Sequence, residues 1–464
     1  MSMTDIASGT RIAPARTELP PLEQVPQLRH LETEIPGPRS REMMEDRRAQ
    51  VSNGFGAQLP VFIERADGGI LLDVDGNRII DLASGLGPTA LGASNALVRE
   101  RLVAQLERFT HTCFMTTEYQ SFVDVCRWLN EHTPGDFEKR TALFTTGAEG
   151  NENAAKIARY VTGRSRFLAF DGAYHGRTHF TMSITSKAKP YKTGFGPFSE
   201  DVFHAPVPTS PRFGPEDVPA CLGRVREILV ENDPSTFAGI IIEPILGEAG
   251  CLLPLPGFLA GLREIADEYG ILLIADEVQS GMGRTGRIWA IEHEGVVPDL
   301  LVAAKALANG MPLSSVTGSA EIMDAVHSAG LGGTYAGNPL SCEAALAVFE
   351  QIDAGGVLEQ ASELGAIAEE ILRPLVGAGL SVIDVRGRGG MIGIEFGDEE
   401  TLEPSGDRAR AVTQYCHANG VLALTNGVHE SVIRLLPPVV IDRELFRDAL
   451  RVIVDGIRTV AQRD

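Results

Sequence analysis

The chain has 464 residues, 44% hydrophobic and 22% charged, which fits a globular protein of one to three domains with a large buried core. Against 41 basic side chains stand 62 acidic ones, a formal charge of −21. That balance repels phosphate backbones and argues against nucleic acid as a partner, and a small anionic substrate would need a local cluster of arginines. No run approaches the ~18 apolar residues of a membrane span, Met1–Thr10 lacks a secretory core, and the six scattered cysteines form no Cys-x-x-Cys pair, so they read as reduced thiols of a cytoplasmic protein.

In chain order, residues 1–38 are polar and Pro-rich and read as a loose, flexible arm, laid over a partner subunit. Residues 39–81 carry a strand pair, Val61–Glu64 and Ile70–Asp73, then an Asp75-Gly76-Asn77 turn and a strand Arg78–Leu82; they read as the first part of a small domain. Residues 82–345 alternate short apolar runs with helical stretches, the pattern of a mostly parallel sheet covered on both faces, and form the large domain of an α/β fold. The runs are Ala142–Phe144, Phe167–Phe170, Gly239–Ile242, Ile271–Ala275 and Leu300–Ala303. Ligands of such sheets sit at the carboxyl ends of the strands, which makes Thr146, Asp171, Glu243, Asp276 and Lys305 candidates for one crevice. Residues 346–464 read as the rest of a smaller α+β domain: helix, Leu380–Val385, Met391–Phe396, helix, Val421–Ala423, Ser431–Leu435 and a last helix. Gly387-Arg388-Gly389-Gly390 lies between two of these strands and is a hairpin turn, not a dinucleotide fingerprint.

The chemistry centres on two residues. Asp276 ends a strand too apolar to be exposed, and a buried carboxylate is costly unless it meets a cation; a pyridinium nitrogen would be one, and a helix N-cap or a structural ion pair are the other readings. Lys305 lies one strand–helix–strand unit further, after Leu301-Val302-Ala303-Ala304. A desolvated lysine has a lowered pKa and forms an imine with an aldehyde, whereas the usual lysine snorkels to the surface. Thr146, Gly147 and Ala148 lie between a strand and a helix, where close backbone approach, a hydroxyl and a helix N-terminus suit a phosphate, although such turns are common; Thr334, in the glycine-rich Gly332–Asn338 loop, is a second phosphate candidate. The rings of Tyr174 and His175 can stack on a flat cofactor, with a satisfied polar histidine as the alternative for His175. Arg177 can clamp a carboxylate with its two-pronged guanidinium, and Arg434, inside an apolar strand, must meet an acid or a substrate carboxylate.

The stretches Phe109-Thr110-His111-Thr112-Cys113-Phe114, Ala173-Tyr174-His175-Gly176-Arg177-Thr178, Ile241-Ile242-Glu243-Pro244, Ala275-Asp276-Glu277-Val278-Gln279-Ser280-Gly281, Gly283-Arg284-Thr285-Gly286 and Gly333-Thr334-Tyr335-Ala336-Gly337-Asn338-Pro339 resemble the class III (subgroup II) aminotransferases of PLP fold type I. The likeness runs from about Ile35 to about Thr459 and is close to the bacterial 4-aminobutyrate (GABA) aminotransferases. It implies pyridoxal 5′-phosphate (PLP) as cofactor and no metal. It also implies Lys305 as the Schiff-base lysine, Asp276 as partner of the ring nitrogen, Val278 and Tyr174 on the two ring faces, Gln279 at the ring hydroxyl, and Gly147 with Ala148 as the phosphate cradle. Thr334 would be donated by the neighbouring subunit, which implies a homodimer, with a tetramer left open. Arg177 would clamp the distal carboxylate, Leu86 would lie near the substrate where isoleucine is usual, Glu248 and Arg434 would form a switch pair, and Glu243 would be a supporting acid. The substrates implied are an amino acid and a 2-oxo acid: GABA and 2-oxoglutarate react to succinic semialdehyde and glutamate, by ping-pong kinetics through pyridoxamine phosphate.

The chain departs from the family pattern at Leu91-Gly92-Ala93-Ser94-Asn95, Leu86, Met115 and Leu246, positions near the substrate side in the family, which opens the identity of the donor. The rivals are another ω-amino donor (ornithine, acetylornithine, diaminobutyrate or β-alanine), an aminomutase needing no external keto acid, and a non-catalytic nucleotide-binding α/β module without a chromophore.

Overall fold

A computed structural model describes residues 24–209 and 217–462. Its strands, in chain order, are β1 (Ile63–Asp67), β2 (Ile70–Asp73), β3 (Arg78–Asp81), β4 (Lys139–Phe144), β5 (Arg166–Phe170), β6 (Val202–Ala205), β7 (Phe237–Ile242), β8 (Leu272–Asp276), β9 (Leu300–Ala303), β10 (Ser314–Ser319), β11 (Val382–Arg388), β12 (Met391–Phe396), β13 (Val421–Leu422), β14 (Leu424–Asn426) and β15 (Val432–Leu435). The central sheet has the order β4-β10-β9-β8-β7-β5-β6, and within it β10 alone runs against its neighbours.

Successive side chains of a strand point to opposite faces, and the inner strands β5, β7, β8 and β9 are apolar on both. Leu168, Phe170, Ile240 and Ile242 pack into one layer with the helices Phe258–Tyr269 and Pro339–Asp353. Phe167, Ala169, Ile241 and Ile274 pack into the other, against the helix Gly147–Thr162. The sheet is therefore fixed from both sides, and its carboxyl edge becomes a rigid platform.

The sequence reading misses two strands of the central sheet, and β14 of the smaller antiparallel sheet. β6 and β10 carry no apolar run, yet both belong to the sheet. β1 also begins at Ile63 rather than Val61 and extends to Asp67.

The N-terminal hairpin pairs through β3 with β13 in a parallel contact, so strands from both ends of the chain share one sheet. A third, antiparallel sheet has the order β11-β12-β15-β14, and Gly389–Gly390 turns β11 into β12 as read from the sequence. The helix Arg443–Ala461 closes this part of the fold, capped by the Asp442 side chain and burying Leu445, Phe446, Ala449, Leu450, Ile453 and Ile457 along one face.

The reading of a loose arm over residues 1–38 needs correction in its second half. Val25 is buried and its N–H donates to Asp67 Oδ2 at 3.2 Å; Arg29 meets Asp448 at 2.8 Å and donates to the Asn419 carbonyl at 2.9 Å; His30 bridges to Arg78. Apolar burial and two-ended hydrogen bonds tie this stretch down despite its polar composition. The first part of the arm, 1–23, lies outside the described residues. Among the described residues, no helix is long and apolar enough to cross a membrane.

Candidate active site

A cavity of about 400 Å³ opens at the carboxyl edge of the central sheet. Asp276, the last residue of β8, sits at its floor and is 3% exposed. Its Oδ2 accepts from Asn151 Nδ2 and from His175 Nδ1, both at 2.7 Å, and its Oδ1 accepts from the Val278 N–H at 3.0 Å. A carboxylate that only accepts puts the imidazole proton on Nδ1. His175 Nε2 and Asn151 Oδ1 are buried without a partner among the described residues.

Lys305 follows β9 and lines the same cavity. Its φ of 48° lies in the left-handed region, a strain of about 1–2 kcal/mol for a residue with a side chain. Burial pulls its pKa below the usual lysine range, against the opposing charge of Glu248.

The helix Gly147–Thr162 begins directly after β4 and points its N-terminus at the cavity. Thr146 caps it by accepting from the Glu149 N–H at 3.2 Å, and the Glu149 side chain in turn accepts from the Thr145 N–H at 2.9 Å. First-turn N–H groups such as those of Gly147 and Ala148 have no carbonyl to reach within the helix. A Cβ on Gly147 would stand 2.8 Å from Val278 Cγ1, so the close approach of this turn to Val278 requires glycine.

Tyr174, His175 and Arg177 line the cavity wall, with Arg177 Nε donating to Tyr174 Oη at 3.2 Å. Glu243, at the end of β7, is buried; its Oε1 accepts from the Tyr174 N–H at 2.8 Å and its Oε2 from the Gly247 N–H at 2.9 Å. Burial, with the neighbouring Asp276 charge, raises its pKa to about 7 against the pull of His175. Gln279 lines the cavity and connects it to a second layer through its Oε1, 3.3 Å from Arg434 Nη1. Arg434 is 3% exposed and pairs with Glu248 at 2.5 Å. Burial alone would raise the Glu248 pKa, but Arg434, with Lys305 and Lys187, brings it down to about 2.

Of the residues singled out in the sequence, Thr146, Gly147, Ala148, Tyr174, His175, Arg177, Glu243, Asp276, Val278, Gln279 and Lys305 all line this one cavity. Glu248 and Arg434 stand behind Gln279. Thr334 is exposed and Leu86 is 48% exposed, and neither is among the lining residues. Asp171 does not join the crevice: the chain turns at Gly172, with φ of 82°, and leaves Asp171 exposed.

The profile of the class-III aminotransferase family matches residues 52–457. The chain belongs to the class-III aminotransferases. It is 44% identical over 439 residues to the 4-aminobutyrate aminotransferase of Mycobacterium leprae (strain TN), an alignment covering 93% of this chain and 98% of that one. To the 4-aminobutyrate aminotransferase GabT of Escherichia coli (strain K12) it is 41% identical, covering 89% and 97%. Among solved structures it resembles the ornithine aminotransferase of Toxoplasma gondii, described with partial occupancy of PLP at its active site, with a TM-score of 0.81, 29% identity and coverage of 91% and 95%.

In this class-III aminotransferase several site residues escape a reading of the sequence. Asn151 holds Asp276 from a helix 125 positions earlier, a contact only the fold creates. Tyr191 and Lys187 flank Glu248, and Met311, Leu313 and Pro88 complete the cavity. The departures from the family pattern have local reasons. Asn95 caps the helix Ala96–Leu106, the Leu91 N–H donates to Asn309 Oδ1 at 2.9 Å, Leu246 is fully buried and bridged to Leu252, and Met115 packs beside Gly332. None of these four lines the cavity.

Proposed function

We propose that this chain transfers the amino group of 4-aminobutyrate to 2-oxoglutarate, forming succinic semialdehyde and glutamate, with PLP as its cofactor. The observation that carries the reading is the buried Glu248–Arg434 pair standing behind a cavity that also holds Lys305 and Asp276. The names of the relatives from Mycobacterium leprae and Escherichia coli support the same donor.

The donor set fits the cofactor. Buried Asp276 suits a protonated ring nitrogen, the N–H groups of Gly147 and Ala148 with the Thr146 hydroxyl suit a phosphate, and the Val278 methyls and the flat Tyr174 ring offer apolar contact. PLP, when bound, supplies an aldehyde that exchanges amines and a ring that accepts electron density from the reacting carbon.

Lys305 would hold the aldehyde carbon and, once displaced by substrate amine, take the proton from the substrate carbon bearing that amine. Its burial-lowered pKa suits it to act first as base and then as acid. Asp276, fixed by His175, Asn151 and the Val278 N–H, would keep the ring nitrogen protonated when the cofactor is bound. Arg177 would grip the carboxylate distal to the amine in both substrates. GABA lacks the α-carboxylate of glutamate, and with GABA bound Glu248 leaves no buried cation unpaired at Arg434; with glutamate the α-carboxylate takes that place.

The active unit in this reading is a homodimer, with exposed Thr334 serving the site of a second copy, in a cytoplasmic protein whose six cysteines are free. Residues 82–345 would bind the cofactor, and 39–81 with 346–464 would form the smaller unit, as their shared sheet suggests.

Initial rates with GABA and 2-oxoglutarate test the reading. Parallel double-reciprocal lines are expected, with kcat/KM for GABA at least about tenfold above that for ornithine, acetylornithine, diaminobutyrate or β-alanine. Intersecting lines, a better rival donor, or turnover without 2-oxoglutarate would contradict it.

A further inference from the structure

Glu248 divides its carboxylate among three neighbours. Oε1 meets Arg434 Nη1 at 2.5 Å, Oε2 accepts from Tyr191 Oη at 2.8 Å, and Lys187 Nζ stands 4.0 Å from that same Oε2. Lys187 is buried. Its ammonium donates to the Glu248 carbonyl and to Asn426 Oδ1, both at 3.0 Å, and Asn426 is itself pinned by a 3.0 Å bond to the Gly247 carbonyl. An ammonium has three N–H donors; two are engaged by these oxygens, and the third is left for Oε2.

The charges do not balance in this arrangement. Glu248 and Arg434 neutralise each other, which leaves Lys187 as a second buried cation without an anion of its own at contact distance. An uncompensated buried cation is costly, so a state of the site that pairs it is favoured. Arg434 offers such a state, because its Nε is buried without a partner among the described residues and can donate to an incoming carboxylate. Once a substrate α-carboxylate holds Arg434, two anions face two cations.

We propose that Lys187 is the second counter-ion of Glu248: when the α-carboxylate of glutamate or 2-oxoglutarate takes Arg434, the Glu248 carboxylate passes to Lys187 while Tyr191 keeps hold of Oε2. Lys187 is thus a positioning residue that sets specificity for the dicarboxylic partner, and this rests on the function proposed above. The shift needed is small, from 4.0 Å to the length of an ion pair. Tyr191 suits the pivot, since its ring is already held: the Arg177 guanidinium lies 4.7 Å from its centre and the Tyr174 ring 4.5 Å away. Burial draws the Lys187 ammonium to lower pKa, and Glu248 is the neighbour that most opposes this.

Single-turnover reactions of the holoenzyme with GABA and with glutamate test the proposal. Lys187→Gln keeps a hydrogen-bonding side chain and removes the charge. It is expected to leave kcat/KM for GABA within about twofold of wild type and to lower that for glutamate about ten- to a hundredfold, mainly through KM. Lys187→Arg should restore much of the glutamate rate. In a Glu248→Gln background, where no charge has to be rehoused, Lys187→Gln should cost little more.

Equal slowing of both donors, an unchanged glutamate reaction, or an undiminished penalty in the Glu248→Gln background would overturn the inference. If Lys187→Gln does not fold, infrared difference spectra of wild-type holoenzyme with 2-methylglutamate decide, because that ligand brings both carboxylates but no proton to lose. No carboxylic-acid band should arise, and a band that Glu248→Gln abolishes would overturn the idea. Wild-type holoenzyme inactive with GABA would overturn the function proposed above and this inference with it; activity with both donors confines any failure to Lys187.

Discussion

At position 305 an amine is drawn out of water by its neighbours: Ala303, Ala304 and Ala306 are buried, and the backbone adopts a left-handed turn that aims the side chain into the cavity rather than to the surface. Asp276 is held as firmly from the other side. Asparagine at 276 keeps the shape and loses the charge, so Asp276→Asn should fold as wild type while kcat falls at least about a hundredfold; single-turnover rates check this, and a loss below about tenfold would contradict the ring-nitrogen role. Glu248 makes a prediction for stability. Its pKa falls on folding from the ordinary 4.5 to about 2, so the native state binds fewer protons than the unfolded chain between those values. The stabilisation is complete above about pH 5 and is lost as pH falls from about 4.5 towards 2, at no more than about 1.4 kcal/mol per pH unit. Urea midpoints against pH should be flatter over that window in Glu248→Gln than in wild type; parallel curves would contradict the ion pair.

At the scale of elements, the cavity exists because the helix Gly147–Thr162 lies close against the sheet. Gly150, in its first turns, has no room for a side chain: a Cβ there would stand 2.8 Å from Val302 Cγ1. Gly150→Val should therefore destabilise by about 1–3 kcal/mol and loosen the bound cofactor, read by thermal unfolding with and without PLP. An unchanged midpoint would show the helix free to shift. What the sequence reveals and hides follows the same physics. β5, β7, β8 and β9 are legible because both of their faces are apolar, and Glu243 just after β7 and Asp276 at the end of β8 mark the carboxyl edge. β10 is not legible. Ser-Ser-Val-Thr-Gly-Ser has no apolar run; Thr317 Oγ1 meets Thr141 Oγ1 at 2.7 Å, while the hydroxyls of Ser314 and Ser315 are buried without a partner among the described residues. Asn151 and Lys187 escape for a related reason: each looks like an ordinary polar residue until folding brings Asp276 or Glu248 against it. Residues 24–38 read as loose because polarity was taken for mobility, whereas the Arg29 side chain and the His30 backbone are tied to partners in the fold.

Across the whole molecule, one side chain ties the parts together. Arg284, fully buried after β8, donates to the carbonyls of Gly87 at 3.2 Å, Gly390 at 3.4 Å and Pro437, so the loop beyond Asp276 is fastened to segments from both ends of the chain. Burial lowers its pKa to about 10 against the pull of Asp81, which leaves it charged near neutrality. The surface carries large apolar side chains, with Leu86 48%, Met115 56% and Tyr335 65% exposed, and Tyr335 adjoins Thr334. In the homodimer proposed above these side chains would be covered by the second copy. Sedimentation equilibrium at micromolar concentration should give twice the chain mass, with Thr334→Ala lowering the affinity for PLP; a monomer that binds PLP fully would contradict the role given to Thr334. The proposed reaction depends on Lys305 being the amine that holds the cofactor. Borohydride reduction of the PLP-loaded protein, followed by digestion and peptide mass spectrometry, tests that most directly. The phosphopyridoxyl group is expected on the peptide containing Lys305 and is expected to be absent in Lys305→Ala, whereas a label on another lysine, or none, would contradict this role.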